Sequence, residues 1–246
     1  GDVYKRQALS GGGSGDVLLM GTLKHYRLLV RKLKVQPFGL KQVATEIESI
    51  LAGLELKRQI IELPHGKSLK LGEGTLIMGI LNVTPDSFSD GGKYLNPDQA
   101  LKRAREMIDE GADIIDIGAA SSRPDSVMAG EQEEIQRLLP VMDKLAAEDI
   151  IISIDTFRGK VARAALENGA HIINDIGSLQ LDSQLLPVLV EKHAPVILMH
   201  NRMQIRQGEP YQDLIADIII ELEDAMGQAV DAGLPGDKII IKDIIG

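Results

Sequence analysis

The chain has 246 residues, of which 44% are hydrophobic and 26% charged, and its 27 Lys and Arg against 36 Asp and Glu give a net charge of −9 at neutral pH. This balance is typical of one globular domain with a small appendage, and it excludes a disordered chain and argues against a general affinity for nucleic acid. Cysteine is absent, which excludes disulfides, zinc–thiolate sites and cysteine nucleophiles, and no apolar run reaches the ~20 residues of a membrane span, so we expect a cytoplasmic protein.

The first 75 residues precede the regular part of the chain. Residues 1–15 end in a Gly/Ser cluster and are interpreted as a flexible leader or a cloning artefact without function. Residues 16–75 are predicted to form an N-terminal extension and a connection. Within them the apolar spacing after Pro37 predicts a helix, and a Pro- and Gly-containing stretch with short strands follows it.

From residue 76 short aliphatic runs alternate with amphipathic segments. The predicted strands are 76–83, 113–118, 150–155, 171–176, 195–200 and 238–243, and the predicted helices between them are 97–110, 130–147, 157–168, 182–193 and 211–232. Continuous Ile, Val and Leu runs are typical of parallel strands buried on both faces. The alternation predicts an α/β fold, either a barrel or a doubly wound sheet. The lack of a G-x-G-x-x-G motif after the first strand argues against the doubly wound sheet. A (β/α)8 barrel takes about 250 residues, so a barrel over 76–246 would be incomplete, with about six strands present.

Polar side chains stand at or near the end of every predicted strand. They are Asn82, Asp116, Asp155, Asn174, Asp175, His200 and Asp243. In a parallel barrel these ends meet at one mouth, where active sites lie. Asn and Asp also serve as turn residues and helix caps, which explains any one of them but not the whole set. Amide and carboxylate groups without a nucleophile–base pair suit binding of a planar N–C–N edge, as in a guanine or pterin ring, better than hydrolysis.

Two loops rich in hydroxyl groups follow the first two strands. Ser121, Ser122 and Arg123 can bind a phosphate group, and the Asn82 side-chain carbonyl can serve Mg²⁺ on a diphosphate. Each loop alone is weak support, since Ser- and Gly-rich segments are common in ordinary loops.

Several motifs together resemble one family. The run MGILNVTPDSFSDGG (78–92) resembles the first signature of dihydropteroate synthases, and DIIDIGAASSRP (113–124) resembles the second. Later strands add SIDT (153–156), IINDI (172–176) and LMHNR (198–202), so the resemblance covers about residues 76–243.

The resemblance implies a TIM barrel that condenses 6-hydroxymethyl-7,8-dihydropterin diphosphate with p-aminobenzoate, with Mg²⁺ as cofactor and a homodimer as the full-length assembly. It also implies roles for individual residues. The residues that would bind or support the pterin are Asp155, Asn174, Asp243 and Asp116. The residues that would contact the diphosphate or belong to the substrate loops are Ser122, Arg123 and Phe88, and Asn82 would bind the metal.

Some positions depart from the family pattern, which keeps two alternatives open. Ala120 stands where Glu is frequent, and after Asp243 the family's Pro-Gly-Ile-Gly run is replaced by Ile-Ile-Gly. The carry-over to Asp243 is therefore the least secure, and we expect a truncated member with low activity. One alternative is a barrel that binds methyltetrahydrofolate for methyl transfer, and the other is a pterin-binding remnant without catalysis.

Overall fold

The computed structural model describes residues 18–55, 58–84, 96–120, 130–202 and 209–242. The strands are β1 (Gln59–Glu62), β2 (Ser68–Leu71), β3 (Met78–Asn82), β4 (Ile114–Gly118), β5 (Ile151–Asp155), β6 (Ile172–Asp175), β7 (Val196–Met199) and β8 (Ile239–Lys242). The helices are α1 (Leu23–Leu33), α2 (Leu40–Glu55), α3 (Pro97–Asp109), α4 (Glu131–Leu145), α5 (Gly159–Glu167), α6 (Leu185–Lys192) and α7 (Leu214–Asp231). In this part of the chain no helix is long and apolar enough to cross a membrane.

The central element is a parallel sheet of six strands in the order β3-β4-β5-β6-β7-β8. Each strand pairs with the next one along the chain, and each pair is connected through at least one of the helices α3 to α7. The predicted α/β fold and all six predicted strands are confirmed. The helix boundaries also follow the sequence: the Asn96 side chain caps α3 at the Asp98 N–H (2.9 Å), Pro97 is its first residue, and Gly169 follows α5 with a φ of +101°.

Alternate residues of each strand face two different cores. The outer face packs against the helices through a large aliphatic cluster that includes Leu81, Ile117, Ile154 and Leu198. The inner face carries Ile114, Ile172 and Ile197 near the amino ends of the strands, and polar residues near the carboxyl ends. Because side chains alternate with a period of two, the register places Asn82, Asp116, Asp155 and Asn174 on a single side of the sheet.

The antiparallel hairpin β1–β2 fills the inner face at the amino ends of the strands. Its Ile61, Leu63 and Leu69 pack with Ile114 and the other inner residues. The chain divides into two units between residues 56 and 57. The hairpin, which lies in the predicted connection at the end of 16–75, belongs to the second unit because it buries its apolar side chains there.

The first unit is a pair of helices, α1 and α2. Thr22 caps α1 at the His25 N–H, and Val30, Ala44 and Leu51 form a small core between the two helices. The predicted helix after Pro37 is thereby confirmed.

Candidate functional site

Polar residues at the carboxyl ends of β3, β5 and β6 lie in one row across the sheet. Asn82 pairs with Gly118, Gly118 with Asp155, and Asp155 with Asn174. Asp116 lies two residues before Gly118 and hence on the same face of β4. The aliphatic runs of the sequence thus end in four polar side chains that share the inner face at one end of the sheet.

Asp116 and Asn174 are joined by a buried hydrogen bond. The Asn174 Nδ2 donates to Asp116 Oδ2 at 2.8 Å, and both side chains are almost completely buried. Asp116 Oδ1, Asn174 Oδ1 and the neighbouring Ser153 Oγ have no hydrogen-bond partner among the residues that the structure describes. A buried polar atom without a partner is costly, so two acceptor oxygens and a hydroxyl group are available for a ligand that supplies donors.

The third acceptor is the Asp155 carboxyl group. Burial, followed by the negative charge of Asp116, raises its pKa to about 7, whereas the Lys242 ammonium group opposes the shift. Crowded carboxylates in a pocket are typical of functional sites, although structural clusters also occur. The group can therefore exist in both protonation states near neutral pH.

The lack of a side chain at Gly118 lets the Asn82 and Asp155 side chains approach each other above it. A Cβ at residue 118 would lie 3.2 Å from Asn82 Oδ1 and 3.5 Å from Asp155 Oδ2. Both oxygens therefore border the same small volume at the carboxyl end of the sheet. Larger clusters of three or more His, Asp or Glu side chains able to hold a metal ion are absent from the described parts of the chain.

Comparisons with known proteins agree with this geometry. The profile of the family described as "Pterin binding enzyme" matches residues 78–246, which is more than half of the chain and includes all of the polar row. The chain belongs to the pterin-binding enzyme family.

Dihydropteroate synthases are among the proteins similar to this chain. The chain is 45% identical to the dihydropteroate synthase of Clostridium beijerinckii over 181 residues, which cover 73% of this chain and 66% of the relative. It is 46% identical to the dihydropteroate synthase of Bacillus subtilis over 180 residues, which cover 73% of this chain and 62% of the relative. A crystal structure of the Clostridium difficile dihydropteroate synthase in the presence of pteroic acid is similar with a TM-score of 0.66, 41% identity and coverage of 71% of this chain and 66% of that chain. The chain thus spans slightly less than two thirds of the length of these relatives.

In this member of the family, two of the strand-end residues stabilise the fold and do not face the row. The Asp175 carboxylate accepts the N–H groups of Gly177 (2.7 Å) and Leu179 (2.6 Å), and so holds the turn after β6. Burial raises the pKa of Asp175. His200 directs its Nε2 to Glu221 Oε2 of α7 at 2.8 Å. The turn role that the sequence left open for Asn and Asp residues is observed for Asp175.

Lys242 is a residue of the candidate site that sequence reasoning missed. It pairs with Met199 at the carboxyl end of β8, and it follows the inward-facing Ile240 by two residues. Its charge lowers the pKa of Asp155 against the effect of burial. The period-two pattern of the strand contained this signal, because Ile240 and Lys242 necessarily share a face.

Five predicted site residues lie outside the described residues. They are Phe88, Ser121, Ser122, Arg123 and Asp243. Their roles stay predictions from the sequence, whereas the structure brings Asn82, Asp116, Asp155 and Asn174 together.

Proposed function

We propose that this chain binds the pterin substrate of dihydropteroate synthesis, the condensation of 6-hydroxymethyl-7,8-dihydropterin diphosphate with p-aminobenzoate. The observation that carries the proposal is the set of acceptors formed by Asp116 Oδ1, Asn174 Oδ1 and the Asp155 carboxyl group. A pterin ring presents adjacent N–H donors along its N–C–N edge, which these acceptors complement. The similarity to dihydropteroate synthases supports this reaction over methyl transfer from methyltetrahydrofolate.

The acceptors contribute binding and electrostatics to the proposed reaction. The C–O bond to the diphosphate breaks with its electron pair on the leaving group, and the amine nitrogen then forms the new C–N bond and releases a proton to solvent. Positive charge develops on the pterin methylene in between. An ionised Asp155 carboxylate would stabilise that charge, because burial of the group weakens the screening by water.

A divalent cation fits the oxygen atoms at Asn82. The amide Oδ1 borders the space over Gly118, and oxygen ligands of this kind suit Mg²⁺. When bound, Mg²⁺ would neutralise the charge of the leaving diphosphate. Asn82 would bind the ion together with the diphosphate oxygens. We propose that Phe88, Ser122 and Arg123 contribute to the site from the loops that follow β3 and β4.

The finer architecture is also part of the proposal. Six parallel strands in sequential order suit an incomplete (β/α)8 barrel, whose full-length relatives we expect to carry the remaining strands. A homodimeric full-length enzyme and a cytoplasmic location stay predictions, as does pterin binding by Asp243.

Calorimetric titration with pteroic acid tests the proposed function. We expect Asp155→Asn to weaken binding about 10- to 150-fold, which corresponds to the ~1.5–3 kcal/mol of a charged hydrogen bond. The control Asp149→Asn changes the same residue type at a fully exposed position paired with Lys67, and it should bind as the parent does. Equal affinities of the parent and Asp155→Asn would contradict the site, and a parent that binds no pteroic acid would contradict the function.

A further inference from the structure

A buried ion pair lies directly beside Asp155. Arg158 Nη1 donates to Glu134 Oε2 at 2.9 Å, and the two side chains are only 13% and 2% exposed. Glu134 belongs to α4, whereas Arg158 immediately precedes α5. Burial raises the pKa of Glu134, and hydrogen bonds from Thr156 and Arg158 oppose that effect. A buried charge of this kind is costly unless its partners are held in place.

Thr156 connects this ion pair to the polar row. Its N–H donates to the Asn174 carbonyl oxygen at 3.1 Å, and its Oγ1 accepts the Arg158 N–H at 3.2 Å. The same hydroxyl group lowers the pKa of the Glu134 carboxyl group against the effect of burial, because it can donate a hydrogen bond to the ionised form. The three residues that follow Asp155 are thus held by β6 on one side and by Glu134 on the other.

Helix α4 also holds the neighbouring strand end. Arg137 Nη1 donates to the Ala119 carbonyl oxygen at 3.1 Å, and Arg137 is itself paired with Glu133. Ala119 follows Gly118, the register partner of Asp155. The first two turns of α4 therefore hold the backbone after both β4 and β5.

We propose that Glu134 is a positioning residue, which holds residues 156–158 through Thr156 and Arg158 so that the Asp155 carboxyl group faces Asp116 and Asn174. The ion-pair partner of Glu134 is Arg158, which lies three residues after Asp155. The negative charge of Glu134 contributes to the raised pKa of Asp155, and the ion pair with Arg158 opposes this repulsion. Binding groups must be held to within about 0.5 Å by such supporting contacts. The expected effect on ligand affinity rests on the proposed function, whereas the expected effect on the position of the Asp155 carboxyl group does not.

The ligand-binding experiment compares variants of the full chain by titration with pteroic acid. We expect Glu134→Ala to weaken binding about 10- to 100-fold and Thr156→Val, which keeps the side-chain shape, to weaken it by a smaller factor. Glu134→Gln keeps an acceptor for both partners and should restore most of the affinity. The control Val141→Ala removes buried apolar atoms from the same helix and should lower the unfolding temperature without changing the affinity.

A second measurement uses the protein without ligand. We expect Glu134→Ala and Thr156→Val to shift the ¹³C resonance of the Asp155 carboxyl group and to accelerate hydrogen exchange at the Thr156 and Arg158 amides. Val141→Ala should change neither. This result holds even if the parent binds no pteroic acid, in which case the proposed function alone fails. Unchanged Asp155 resonances in both variants would overturn the positioning role. If the parent binds pteroic acid, variants that bind it with the same affinity as the parent would also overturn that role.

Discussion

Asp155 combines burial with like charges from its neighbours, and this combination makes protein stability depend on pH. Its pKa is about 7 in the folded chain against an ordinary value of 3.8. The folded state therefore holds this proton more tightly than the unfolded state does. The resulting contribution to the free energy of unfolding is complete below pH 4, and it is lost as the pH rises through about 7.

Replacing Asp155 should remove this dependence. The quantity to compare is the free energy of unfolding of Asp155→Asn minus that of the parent. We expect this difference to be about 2–4 kcal/mol larger at pH 8 than at pH 4, since each tenfold change in proton affinity corresponds to about 1.4 kcal/mol. Urea unfolding at several pH values measures the difference. A difference that is constant with pH would show that Asp155 titrates normally.

Asn82 belongs to a different part of the candidate site, because its Oδ1 borders the space over Gly118 and takes no part in the Asp116–Asn174 pair. We expect Asn82→Ala to weaken Mg²⁺-dependent binding of the pterin diphosphate about tenfold or more and to leave binding of a pterin without diphosphate nearly unchanged. Calorimetry with both ligands, with and without Mg²⁺, distinguishes them. Asn168→Ala is a matched control at the end of α5, where the Asn168 side chain donates to the Ala164 carbonyl oxygen of its own helix. Equal losses of affinity for both ligands in Asn82→Ala would show that Asn82 also takes part in binding the pterin ring.

At the scale of elements, the start of α5 depends on a close backbone approach. A Cβ on Gly159 would lie 2.5 Å from the backbone carbon of Gln184, and the Gly159 N–H donates to Asp182 Oδ2 at 2.7 Å. Only glycine allows this approach, which joins α5 to the segment before α6. The contact lies four residues after Asp155, so it also helps to fix the site.

We expect Gly159→Ala to lower the free energy of unfolding by about 1–3 kcal/mol through this clash. Gly227→Ala provides the control, because Gly227 lies in the interior of α7 with open space around it, and that change should stabilise the protein by about 0.5–1 kcal/mol. Chemical denaturation of both variants measures the two effects. A Gly159→Ala variant as stable as the parent would mean that α5 and α6 separate without cost.

At the scale of the whole molecule, the sheet has two edges. Within the described residues β3 and β8 each pair with one strand only. Ile80 is 66% exposed although it lies on the inner face, and Ile241 of β8 is 48% exposed. Unpaired edges with apolar side chains are templates for association between chains.

We therefore expect the 246-residue chain to self-associate in a concentration-dependent manner, which sedimentation velocity can measure. Ile241→Lys should reduce the association, because a charged side chain on an edge strand opposes further pairing. Val230→Lys changes a comparably exposed residue on α7 and should have little effect. A monodisperse monomer at all concentrations would show that the edges are protected.

The sequence by itself determined the elements and their order. Short unbroken aliphatic runs that alternate with amphipathic segments are typical of strands buried on both faces, and Asn96 with Pro97 marks a helix start through purely local hydrogen bonds. It also predicted Asn82, Asp116, Asp155 and Asn174 as site residues, because parallel strands bring their carboxyl ends to one edge whatever the details of packing.

Only the tertiary structure decided which strand-end residues face the site. Asn174 and Asp175 are adjacent in sequence, yet one binds Asp116 across 58 positions of chain and the other holds its own turn. His200 satisfies its ring nitrogen with Glu221, and Glu134 reaches Arg158 from another helix. These partners are set by the packing of helices on the sheet, and local sequence patterns contain no information about such long-range pairing.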